Sequence, residues 1–200
     1  AIIILGIAVI LIFVANPQFL PFLWIGGTGV GFIGIFLSLE SYRLERLAIW
    51  RNPELYEKGY QTMQGLYAIG SGGLFGVGLG ESMQKLGFVP EAQNDMIFSI
   101  ICEELGLTGA VAVLVIFGLL IWRLMVIATW TKDLFGALLA AGVMGHIMIQ
   151  VILNVAVVTN TIPNTGITLP FVSYGGTSVV FLLLEMGIAL SVSRGVRKEH

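Results

Sequence analysis

Glu91, Asp95, Ser99 and Glu103 recur at intervals of four residues. Pro90 suits the first turn of a helix and Gly106 its stop, so the spacing predicts a short helix over 90–105. On that helix the four polar side chains share one face, opposite Ile97, Ile100, Ile101 and Leu105. Carboxylates at the edge of lipid are costly to ionise, and a carboxylate made more basic by poor solvation is a better proton acceptor near neutral pH. Asp95 is therefore the candidate general base. Acids near a helix start also complement its dipole, and, separately, Glu103 and Glu104 are open to a purely ion-paired role.

Other segments could assist such chemistry. Ser82-Met83-Gln84-Lys85 fits the S-x-x-K of penicillin-reactive serine enzymes, but the accompanying S-D-N and K-T-G are absent, so only Lys85, as a cation near the acids, is retained. Gly70-Ser71-Gly72-Gly73-Leu74-Phe75-Gly76-Val77-Gly78-Leu79-Gly80 fits neither common nucleotide motif. Glycine at that density permits close backbone approach to a neighbour or a ligand. Ser41 to Arg51 alternates charge and apolar residues as an interfacial helix does; it reads as an anchor, with a phosphate contact by Arg43, Arg46 or Arg51 as the lesser alternative. Pro163 to Ser178 leads into a final apolar run, where Ser173 or Thr177 can cap a helix whose N–H groups could receive an anion. His146, Gln150 and Asn154 share a helix face; Gln150 and Asn154 read as interhelical glue, and the roles of His146 and Glu185 stay open.

The elements that position these residues are membrane helices. Of 200 residues, 56% are hydrophobic and 11% charged, against about a quarter charged in a soluble domain. Residues 1–39 and 134–184 contain no Asp, Glu, Lys or Arg. Roughly 20 apolar residues cross a bilayer as a helix, and five stretches qualify: about 1–15, 19–39, 107–130, 134–158 and 176–193. The chain opens on Ala1-Ile2-Ile3-Ile4 without Met or a basic flank, as a piece cut inside a span does. The expected architecture is an all-α polytopic membrane protein forming a single domain over 1–200. Its large loop, about 40–106, holds short interfacial or re-entrant helices, and a second loop covers about 159–175. Arg123, Lys132, Arg194, Arg197 and Lys198 mark a cytoplasmic side, which puts the C-terminus in the cytoplasm and both loops outside. A net charge of −2 with no Lys/Arg cluster outside the last seven residues argues against nucleic-acid binding. A single cysteine, Cys102, excludes an intrachain disulfide.

Several motifs, in order, resemble the SEDS family of FtsW, RodA and SpoVE: Gly59-Tyr60-Gln61, residues 72–80, Pro90-Glu91-Ala92 with Asp95, Glu103-Glu104-Leu105-Gly106, and Pro170-Phe171-Val172-Ser173-Tyr174-Gly175-Gly176. The match covers nearly the whole chain and is closest to the FtsW/SpoVE branch, with the chain standing as the C-terminal half of a protein of about ten spans. The resemblance implies an inverting peptidoglycan glycosyltransferase. It would polymerise lipid II from an undecaprenyl-pyrophosphate-linked donor at the outer face of the bacterial cytoplasmic membrane, with Asp95 catalytic. A class B penicillin-binding protein and divisome or elongation proteins would be its partners. Substrate-binding candidates are Lys85, Glu91, Gln61, Gln64, Glu103, Ser173, Tyr174, Gly175 and Gly176. The reading fixes no cofactor; Lys85, or a divalent cation (Mg or Mn) held by nearby acids, would offset pyrophosphate charge. The sequence departs from the family pattern at Gln93-Asn94, where His-Thr is usual, at Met96 for Phe, at Cys102, and at Pro163-Asn164-Thr165-Gly166. The alternative functions are a lipid II flippase and a structural subunit that recruits a synthase.

Overall fold

A computed structural model describes residues 2–15, 41–89 and 92–197. The expected span at 19–39, the acid Glu91 and the basic Lys198 lie outside the described residues. Within them the chain is helical, with no strand. An apolar helix α1 (Ile2–Ala15) is followed by α2 (Ser41–Arg51), two single 3-10 turns at Pro53–Leu55 and Glu57–Gly59, and α3 (Tyr60–Ser71). A further 3-10 turn, Gln84–Leu86, precedes three long helices, α4 (Ile97–Trp130), α5 (Leu134–Val158) and α6 (Gly176–Arg197). These three are long and apolar enough to cross a membrane. The protein is a polytopic, all-α membrane protein.

Helix α5 sits at the centre, packed against α1, α4 and α6. Its buried positions include small ones, Ala137, Ala140, Ala141 and Gly145, which let neighbouring backbones approach. A methyl on Gly145 would meet Ile10 Cδ1 at 2.8 Å, so α1 is seated by the absence of a side chain there. Val111, Val115, Ile116 and Leu119 of α4 and Val180, Phe181, Leu183 and Leu184 of α6 stay exposed, as surfaces that face lipid do. Asp133 starts α5 by accepting a hydrogen bond from Gly136 N at 2.9 Å, which fixes the tight α4–α5 turn.

Helix α4 has 34 residues, or about 51 Å, far more than a hydrocarbon core of about 30 Å requires. Gly106 divides it: φ 68°, ψ −167° at that residue is not helical. The sequence places a stop at this glycine, and the stop is real, but a second helical run continues directly from it. The expected start of the acidic helix is corrected. Residues 92–96 form turns and the helix begins at Ile97. Asp95 therefore does not share a helix face with Ser99 and Glu103. The cause is a tertiary contact: Ser99 N donates to Met96 O at 3.0 Å, while the Asp95 carbonyl, its partner in a continuing helix, accepts from the side chain of Asn154.

Candidate active site

Asn154 is fully buried in α5, and its amide nitrogen donates to two main-chain carbonyls, Asp95 O at 2.8 Å and Ile167 O at 2.7 Å. One side chain thus ties the end of the large loop to the second loop. Tyr174 N adds a bond to Gln93 O at 2.8 Å between the same two segments. From the first turn of α3, Gln61 Nε2 donates to Asp95 Oδ1 at 3.1 Å. The carboxylate is held through both its backbone and its side chain, which is what a group that must act from a fixed position requires.

The second loop also carries α2. Trp50 Nε1 donates to Asn160 O at 2.9 Å, and Asn160 Nδ2 returns a bond to Trp50 O at 3.3 Å. One turn earlier, Arg46 Nη1 donates to Asn164 O at 3.3 Å. Two cavities then meet at Asp95. The first, about 310 Å³, is lined by Arg46, Lys58, Glu45, Thr62, Asp95 and Asn164, among others. The second, about 340 Å³, is lined by Gln61, Asn94, Asp95, Gly166, Thr168 and Tyr174. Apart from Asp95 itself, the first lining carries charged side chains and the second only uncharged ones.

The glycine-rich segment sits elsewhere. Val77 N and Gly78 N donate to the carbonyls of Glu103 and Glu104 at 2.9 and 3.0 Å, and Leu107 N and Thr108 N donate to Gly73 O and Leu74 O at 2.9 and 3.1 Å. The loop supplies the hydrogen bonds that the break at Gly106 takes from the helix. A methyl group on Gly76 (φ 80°) would fall on the Glu104 carbonyl, and one on Gly72 on the Cys102 carbonyl. Density of glycine here serves backbone-to-backbone contact.

The acids beside this clamp are engaged by it. Glu103 is buried; its Oε2 accepts from the Ser82 hydroxyl and its Oε1 from Met83 N at 3.2 Å. Lys85 Nζ lies 2.6 Å from Glu104 Oε1, and Lys85 lines a separate cavity of about 550 Å³ with Val89 and Ala92. Neither Glu103 nor Lys85 lines the two cavities at Asp95. Ser173 is buried and its hydroxyl accepts from Leu169 N at 2.8 Å, so it closes its own turn. Gly175 precedes α6, its carbonyl accepting from Val179 N at 3.0 Å, and Gly176 begins the helix. Tyr174 is exposed and does reach the second cavity. Gln64 is half-buried on α3 and lines neither.

Among the described residues, no three or more His, Cys, Asp or Glu side chains gather as a metal site. Within the bundle, His146 Nδ1 is 2.8 Å from Glu185 Oε2, linking α5 to α6 beside an apolar cavity of about 520 Å³ that α1 also lines. Arg46 was legible as a lesser alternative, whereas Lys58 had no sequence signal: its place at the cavity follows from how the 3-10 turns fold back after α2.

Two polar loops stitched together over a membrane-helix bundle and converging on one carboxylate define the class: a multi-pass membrane protein with its candidate chemistry at a loop-covered end. The chain belongs to the FtsW/RodA/SpoVE family, whose model, described as cell cycle protein, matches residues 1–198. It is 46% identical over 192 residues to stage V sporulation protein E of Bacillus subtilis, covering 94% of this chain and 52% of that one. It is 39% identical over 194 residues to a probable peptidoglycan glycosyltransferase FtsW of Trichlorobacter lovleyi, covering 96% and 51%. A structure described as a peptidoglycan synthase complex, in which polymerization and crosslinking are coordinated, superposes with a TM-score of 0.79 at 28% identity, over 100% of this chain and 56% of the other. A mutant of the Thermus thermophilus rod shape determining protein RodA gives 0.52 at 35% identity, over 66% and 40%. The chain spans about half the length of the curated relatives it matches.

Proposed function

We propose that the protein containing this chain is an inverting peptidoglycan glycosyltransferase that extends glycan strands from lipid II, with Asp95 as general base. The observation that carries this reading is the placement of the Asp95 carboxylate, oriented by Gln61, where a charged and a neutral cavity meet. The hydroxyl of the acceptor sugar loses its proton to Asp95 as its oxygen attacks the donor's anomeric carbon. The pyrophosphate leaves with the bonding electrons and needs no protonation, so one carboxylate suffices where a glycoside hydrolase employs two. Direct displacement inverts the donor carbon.

Orientation belongs to the same proposal. A Cβ on Gly136 would sit 3.4 Å from Val192 Cγ1, so the start of α5 and the late part of α6 lie at one end of the bundle. Arg123, Lys132 and Arg194 cluster toward that end, and their charge supports a cytoplasmic position for it and for the C-terminus. Asp95 and both loops then face outward, where lipid II is presented. By likeness to the synthase complex, a class B penicillin-binding protein is the proposed partner, alongside other division or elongation proteins.

The test supplies lipid II to the full-length protein in detergent, where transport across a membrane has no meaning. New glycan strands are expected; their absence, with flipping activity in vesicles, would favour a transporter instead. A cysteine replacing Asp95, probed in cells with an impermeant maleimide, is expected to react from outside. The buried Cys102 contributes little background.

A further inference from the structure

The charge distribution around Asp95 separates the two substrates, a deepening that rests on the glycosyltransferase reading. In the displacement, the bond from the anomeric carbon to the pyrophosphate breaks as the bond to the acceptor oxygen forms. Asp95 gains the proton and the departing pyrophosphate gains one unit of negative charge. A site that stabilises this step must place cations where that charge develops. Lys85 is not on these walls; it is paired with Glu104 beyond the glycine clamp. Among the described residues, the cations that share a cavity with Asp95 are Arg46 and Lys58.

We infer that Arg46 and Lys58 form the subsite for the pyrophosphate of the lipid-linked donor, and that the neutral cavity of Gln61, Thr168 and Tyr174 receives the acceptor sugar. Arg46 is held in register by its bond to Asn164 O and by the reciprocal Trp50–Asn160 pair one turn away, so its guanidinium fork is placed before any ligand arrives. Planar N–H donors of this kind match phosphate oxygens. Lys58 Nζ lies 2.8 Å from Glu45 Oε1, with both side chains substantially exposed. An exposed pair of this type is weak. Lys58 thus stands at the rim of the cavity, with Glu45 keeping its ammonium beside the site at which a pyrophosphate oxygen would arrive. On the other side, the amide, hydroxyl and phenol groups of Gln61, Thr168 and Tyr174 suit sugar hydroxyls and carry no charge that would attract a phosphate.

The experiment measures binding of undecaprenyl pyrophosphate, and separately of inorganic pyrophosphate, to full-length protein in detergent. It compares the parent with Arg46→Gln/Lys58→Gln, the charge-conserving Arg46→Lys/Lys58→Arg, and Lys85→Gln. The neutral double variant is expected to bind at least one of the two ligands about tenfold more weakly. The charge-conserving variant and Lys85→Gln should stay close to the parent. Competition by inorganic pyrophosphate would place recognition in the phosphates alone, and its absence would require the lipid carrier as well; both outcomes support the subsite. Equal binding of both ligands by the parent and the neutral variant would overturn it, as would equal loss in the charge-conserving variant. Because neither ligand carries a sugar, the result is independent of glycan synthesis. A parent that binds but makes no glycan would sink the proposed function alone.

Discussion

Two acidic regions, one just before α4 and one inside it, engage their carboxylates in opposite ways. At the break in α4, Glu103 and Glu104 are consumed by Ser82, Met83 and Lys85, and the loop over 72–80 closes backbone-to-backbone around them. At the start of α4, Asp95 has its main-chain carbonyl bound by Asn154, while its carboxylate faces two cavities with Gln61 orienting one oxygen. The two regions differ in whether the acid lines a cavity or is enclosed by its own loop, and neither acidity nor spacing in the sequence reveals that.

Breaking the clamp should have the largest effect on folding. Gly76→Ala places a side chain at φ 80° and onto the Glu104 carbonyl, a backbone group that cannot yield. It is expected to destabilise the protein by about 3 kcal/mol or more, read as a lowered thermal unfolding midpoint in detergent. Asn154→Ala follows: it leaves two carbonyls without their donor, costing about 1–3 kcal/mol. Misplacement of the Asp95 segment should also slow polymerisation by roughly tenfold, even where the protein remains folded. A mutant whose rate matched the parent would detach α5 from the site. Removing the ion pair with Lys85→Met should have the least effect on rate, with a stability loss of about 1–3 kcal/mol, because Glu104, 15% exposed, is left without its cation. Its polymerisation rate should stay near that of the parent, and a severe loss would return Lys85 to the active centre.

Much of this organisation was readable from residue order. The apolar runs at 107–130, 134–158 and 176–193 became helices, Thr131-Lys132-Asp133 a tight turn, and Gly106 a break, because each depends on local propensity and bilayer length. Asp95 was also visible as an acid beside a span. Its surroundings were not. The helix register failed at 92–96 because Asn154, 59 residues away in sequence, captures the carbonyl that would have continued the helix. Ser173 suits a cap by type, yet its hydroxyl is turned into its own turn toward Leu169. Arg46 shares a cavity with Asp95 because Trp50 and Asn160, 110 residues apart, pin α2 across the second loop, and Lys58 joins it through the 3-10 turns that follow. Such contacts have no sequence period to announce them.

The contrast between the two acidic regions is tested most directly by initial rates of lipid II polymerisation for full-length Asp95→Asn and Glu103→Gln, measured side by side in detergent. Loss of a general base removes about 10²–10⁴ in rate, so Asp95→Asn should fall by at least about 10² while Glu103→Gln, if folded, retains most of the parent activity. Comparable rates for the two variants, or an Asp95→Asn protein as fast as its parent, would contradict the account.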